Sequence, residues 1–128
     1  MEFKFERFSD VGESFAARVT IRQTGQFGFN AGAKNRFRIA DYDYCVLYYD
    51  SSNRAVGIQL VSEECKDAIG IRKSDANTYI PSRNFCEKYA IDYSISQRFE
   101  LKQDPNSGYL YFELDKELKG KKKQAAPA

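Results

Sequence analysis

The most constraining feature of this chain is an internal repeat. "TIRQ" at 20–23 and "GIRK" at 70–73 are offset by 50, Phe37 and Ile39 match Tyr89 and Ile91 at 52, and Asp50 and Leu60 match Asp104 and Leu114 at 54. The drift falls in turns, where insertions are tolerated. Each copy reads strand, strand, short helix, strand, strand. In the first, "FAARVTIRQ" alternates with Val19 and Ile21 inward, "QFGFN" returns after Gly25, and 31–38 suit a helix carrying Ala33 and Phe37 on one face. "YDYCVLYYD" and "RAVGIQLV" then form a hairpin around "DSSN". In the second, "AIGIRK" and "NTYI" are the strands, Pro81 and Ser82 open a helix with Phe85 and Tyr89, and "QRFELKQ" and "GYLYFEL" close a hairpin around "DPNSG".

One such unit of about 45 residues buries too little apolar surface to be stable alone, so the copies are expected to pair. At 128 residues, with 42% hydrophobic and 30% charged side chains, the chain has the composition of one ordinary folded domain. The expectation is a single domain over 1–114, with repeats at about 18–61 and 68–114, and a basic disordered tail over 115–128. Ahead of the first repeat, "EFKFERF" alternates with period two and predicts an edge or lead-in strand bearing Phe3 and Phe5 on one face.

The first copy, "VTIRQTGQFGFNAGAKNRFRIADYDYCVLYYDSSNRAVGIQLV", resembles the swapped-hairpin unit of AbrB-type regulators: strand, Gly turn, short strand often closed by Ile-Pro, helix, final hairpin. The second copy supplies Ile80-Pro81 and the first supplies Gly25; the first has Asn30 where the family prefers Pro. Tandem copies in one chain resemble MraZ-type proteins. The resemblance implies a mostly β (α+β) fold, in which duplicated ββαββ units form one pseudo-twofold swapped-hairpin-like barrel with two short helices. It also implies a DNA-binding, transcription-regulator-type module, reading DNA with basic side chains on the first strand, beside the Gly turn and on the helix.

Carried over by position, those side chains are Arg18 and Arg22, then Lys34, Arg36 and Arg38 on the helix, with Arg72, Lys73 and Arg83 as second-copy equivalents. Charge bookkeeping agrees: residues 18–38 hold five bases and no acid, 39–67 hold six acids and two bases, and 68–88 hold four bases and two acids. The alternative for these charges is the solvated face of ordinary strands and helices.

Other chemistry is thinly represented. The chain has no His, which removes the commonest general base and metal ligand, and the three Cys lack C-x-x-C spacing and read as reduced thiols, two of them buried. "GQFGFNAGAK" lacks the phosphate-loop spacing, and the pairs Asp41/Asp43 and Glu63/Glu64 read as solvated turn carboxylates. We therefore expect no enzyme, no cofactor and no metal, DNA as partner, no membrane association and a cytoplasmic location. Two other functions stay open. Tyr42, Tyr44, Tyr48, Tyr49, Tyr109 and Tyr111 on the hairpins could serve a protein partner or a homo-oligomer, or could stack single-stranded bases. A single-stranded nucleic-acid binder would resemble coactivator and whirly-type folds, which also repeat antiparallel strands followed by a helix, although here the helix sits between two hairpins.

Overall fold

A computed structural model describes residues 2–7, 16–74 and 77–118. The elements follow the repeat. The first copy supplies β1 (Arg18–Ile21), β2 (Phe27–Phe29), α1 (Ala31–Phe37), a 3₁₀ turn (Ile39–Asp41), β3 (Tyr44–Asp50) and β4 (Ala55–Val61). The second supplies β5 (Ile69–Gly70), β6 (Arg72–Ser74), β7 (Asn77–Ile80), α2 (Arg83–Lys88), β8 (Gln97–Glu100), β9 (Lys102–Gln103) and β10 (Leu110–Glu113).

The local chemistry explains the boundaries. Gly25 turns β1 into β2 at φ +85°, a conformation that disfavours other residues, and its N–H donates to the Arg22 carbonyl at 2.8 Å. An added Cβ there would also stand 2.9 Å from the Arg83 Cα. Asp50 folds the β3–β4 turn by accepting the N–H groups of Ser52 and Asn53 at 2.9 and 3.1 Å, and Asp104 likewise accepts the Asn106 N–H at 3.2 Å. Asn30 caps α1, its Oδ1 accepting the Ala33 N–H at 2.8 Å and the Arg18 N–H at 3.0 Å while its Nδ2 donates to the Ala16 carbonyl at 2.8 Å. Asn30→Ala is therefore expected to cost about 2–3 kcal/mol, a lost cap plus an unpaired strand amide, as a lowered midpoint in urea.

The strands form two five-stranded antiparallel sheets. Sheet I has the order β6-β7-β2-β1-β8, and sheet II the order β5-β3-β4-β10-β9. The copies meet in both: β2 pairs β7 with Gly28 opposite Tyr79, and β4 pairs β10 with Ile58 opposite Leu110. Between the sheets, Phe27 and Phe99 of sheet I meet Phe112 of sheet II at ring-centroid distances of 5.4 and 5.2 Å. All three are almost fully buried, together with Val19, Ile21, Val56, Ile58, Ile80 and Leu110.

This corrects the expected fold. A barrel needs a ladder that runs continuously around the ring, whereas here the ladders end at β6 and β8 in sheet I and at β5 and β9 in sheet II, so neither sheet closes. "AIGIRK" and "QRFELKQ" each divide into two strands, at Ile71 and Leu101, where the chain leaves one sheet and enters the other. Strands that switch sheets in this way make the corners of a sandwich. The AbrB-like, swapped-hairpin reading falls with the barrel.

Two expectations at the ends also change. Residues 2–7 have no regular structure, and Phe3 and Phe5 are exposed. Residues 115–118, expected to be tail, lie against the body: the Leu118 N–H donates to the Arg98 carbonyl at 2.7 Å, Glu117 bridges to Phe99, and Arg54 pairs with Asp115 at 2.9 Å. The rest of the expected tail, 119–128, lies outside the described residues.

Candidate nucleic-acid interface

Neighbouring residues of a strand point to opposite faces, so the buried set Val19, Ile21, Phe27, Phe29, Thr78 and Ile80 fixes which side chains of sheet I point away from the core. The pairing register then assembles a row on the outer face. Arg98 of β8 stands opposite Thr20 of β1, Thr20 opposite Gly28 of β2, Gly28 opposite Tyr79 of β7, and Tyr79 opposite Arg72 of β6. With strands about 4.8 Å apart, the backbone positions of the two arginines are separated by about 19 Å.

Arg22 lies across the middle of this row. Its guanidinium donates to Gln26 Oε1 at 3.3 Å and to Asn77 Oδ1 at 2.8 Å, and it sits 5.5 Å from the centroid of the Tyr79 ring. Gly28 makes the arrangement possible, because a Cβ there would come within 2.3 Å of the guanidinium. Arg18, one step along β1, faces Glu100, the one carboxylate of the described strands on this face. Among the described residues none of Arg18, Arg22, Arg72 and Arg98 forms an ion pair.

Gly28→Ala should therefore push the guanidinium of Arg22 off Asn77 and Tyr79 without changing the net charge. The clash is with the end of a flexible side chain, so the expected loss of stability is small, under about 1 kcal/mol. The displacement reads out as changed amide and side-chain shifts of Asn77 and Tyr79 in NMR spectra.

The structure divides the sequence-derived set. Arg18, Arg22 and Arg72 share the outer face of sheet I. Lys73, one residue on from Arg72, points the other way, and its ammonium donates to the carbonyls of Ala40 and Tyr42, both at 3.1 Å, and to Asp43 at 3.0 Å, tying down the 3₁₀ turn. Arg83 packs over Gly25 and donates to the Tyr93 hydroxyl at 3.2 Å and to Glu87 at 3.3 Å. Those hydrogen bonds hold Arg83 above its ordinary pKa, and the Tyr93 and Arg83 hydrogen bonds hold Glu87 below its own. Lys34 and Arg36 belong to the last turn of α1, and Arg38, at φ 55°, ends it and pairs with Asp41 at 2.8 Å. Arg36 and Arg38 line a groove with Tyr42, with Gln59 of β4 and with Tyr109 just before β10, and none of the arginine row lines it.

Arg98 and Tyr79 belong to the row and were missed. Both sit on strands that the repeat located, and alternation with buried Phe99 and Ile80 marks them as outward; their place beside Thr20 and Gly28 depends on a register that no single strand encodes. The thiols follow the sequence: Cys45 and Cys86 are buried, and burial raises them to about 12 and about 11, while Cys65 is exposed. Among the described residues no group of three His, Cys, Asp or Glu is placed to hold a metal, and no helix is long and apolar enough to cross a membrane. In comparisons with known proteins the chain matches no family model, no curated protein and no solved structure.

Proposed function

We propose that the protein binds nucleic acid, single-stranded DNA in the first instance, on the outer face of sheet I. The observation that carries this reading is the cross-strand row from Arg98 to Arg72, with Arg22 pinned over Gly28 at its centre. Guanidinium groups suit phosphate oxygens, to which they donate in pairs. Tyr79 offers an aromatic ring on the same face, the combination used to hold single strands.

A single strand fits better than a duplex. The major groove is entered by a projecting helix or two-stranded ribbon, whereas the row from Arg98 to Arg72 is carried by strands, and α1 and α2 are helices of only seven and six residues. Binding of this kind rests on phosphate contacts and is weakly selective for sequence.

The test is fluorescence anisotropy of a labelled oligothymidylate and of a duplex of equal length, at several salt concentrations. The full chain is compared with a variant in which Lys119, Lys121, Lys122 and Lys123 are changed to Gln. The reading expects the single strand to bind more tightly, in both proteins, with a log–log salt slope of about −2 to −3, from about 0.7 per phosphate for three or four contacts. Binding that vanishes in the Gln variant would assign the affinity to that lysine run and sink the proposal.

A further inference from the structure

The outer face of sheet II has the opposite character. Its register sets Tyr48 of β3 opposite Gly57 of β4, and Gly57 opposite Tyr111 of β10; in the next outward row Asp50 is opposite Ala55, and Ala55 opposite Glu113. Two small residues on the central strand thus lie between two tyrosines and then between two carboxylates. The result is a trough of about 360 Å³, floored by Gly57 and Ala55, within the range of sites that take small ligands or single side chains. Tyr48 stacks on Tyr109 with ring centroids 4.9 Å apart and donates from its hydroxyl to Gln59 Oε1 at 2.7 Å, which fixes one wall.

Among the described residues three carboxylates line the trough, those of Asp50, Asp104 and Glu113, and no basic side chain does. Asp50 and Asp104 are held in place by turn hydrogen bonds that also keep them below their ordinary pKa, and Glu113 pairs through one oxygen, Oε1, with Lys102 at 3.3 Å and Lys116 at 3.5 Å. A carboxylate offers about four lone-pair sites, so these contacts leave acceptors for a guest. Phosphate is unfavourable here on charge.

We propose that this trough is a docking site for an arginine side chain of a protein partner. A guanidinium is planar, so it can lie flat against an aromatic face and at the same time donate in its own plane to carboxylates, a geometry that the compact ammonium of lysine lacks. Its methylene stem lies on Gly57 between the tyrosines, and its head reaches Asp50 and Glu113 over Ala55. This site is separate from the nucleic-acid face and does not depend on that reading.

The probe is the capped tripeptide acetyl-Gly-Arg-Gly-amide, titrated into the ¹⁵N-labelled full-chain protein and followed by amide shifts. The control is the same peptide with citrulline, which keeps the shape of arginine and loses its charge. The proposal expects saturable shifts at Tyr48, Ala55, Gly57 and Tyr111, with citrulline weaker by at least about tenfold. Ala55→Ile, which fills the floor with a residue that strands accept, should abolish the shifts while the rest of the spectrum stays folded. Equal binding of the citrulline peptide, shifts confined to sheet I, or no saturation would overturn it. Concentration-dependent shifts at the same amides without peptide would also overturn it, by giving the trough to a second copy of this chain.

Discussion

Reversing the charge of Arg22, Arg72 and Arg98 together, each to Glu, is expected to lower affinity for single-stranded DNA by at least about a hundredfold near physiological salt. Three lost phosphate contacts at about 1 kcal/mol each come to about 3 kcal/mol, and each 1.4 kcal/mol is tenfold. The variant should fold normally, because Arg72 is exposed, Arg22 and Arg98 are half-exposed, and none of the three packs into the core. The informative comparison is a second triple reversal at Lys34, Arg36 and Arg38, the helix set. Anisotropy titrations of both variants should show the larger loss in the sheet set. The opposite order would place the contact surface on α1 and remove the arginine row from the mechanism.

Phe112→Ala is the substitution expected to damage the fold most. Phe112 is fully buried, and its ring meets Phe27 edge-on and Phe99 at a tilt across the space between the sheets. Truncation removes the aromatic contact from both neighbours and leaves a cavity that two sheets anchored by backbone pairing can only partly close. The expected cost is about 3–5 kcal/mol, a large share of the 5–15 kcal/mol by which domains of this size are stable. Urea unfolding should show it as a lowered midpoint with little change in slope. Leu101→Asn, placing an amide at another fully buried position, should fall in the same range, whereas a substitution of exposed Glu100 should stay within about 0.5 kcal/mol.

Much of the local structure was legible in the sequence, because it depends on patterns of a few residues. Alternation around Val19, Ile21, Leu110 and Phe112 set the strands and their buried faces, Gly25 and the Asp-led turns set the hairpins, and the offsets of 50 to 54 gave the order of elements twice. The arrangement in space was less legible. Nothing local distinguishes a strand that runs straight from one that changes partner at Ile71 or Leu101, since hydrogen-bond partners lie tens of residues away. The site suffered in the same way. Counting bases along 18–38 joined Arg18 and Arg22 to Lys34, Arg36 and Arg38, although a turn and a strand carry the helix to another side of the molecule. One signal was present and unused: Arg72 and Lys73 are adjacent on a strand, so they could not both face one ligand.

The corners have a consequence for how the molecule opens. The stretch containing Ile71 belongs to sheet II before it and to sheet I after it, and the stretch containing Leu101 crosses in the reverse direction. The Ile71 N–H donates to the Asp43 carbonyl at 2.9 Å, and the Leu101 N–H to the Ala17 carbonyl at 3.0 Å. Neither sheet can therefore breathe apart from the other without breaking a corner, which makes the two amides reporters of whole-molecule unfolding. In native-state deuterium exchange they should be among the last to be replaced, at the free energy of global opening, while the exposed edge at Arg72–Ser74 loses its protons early.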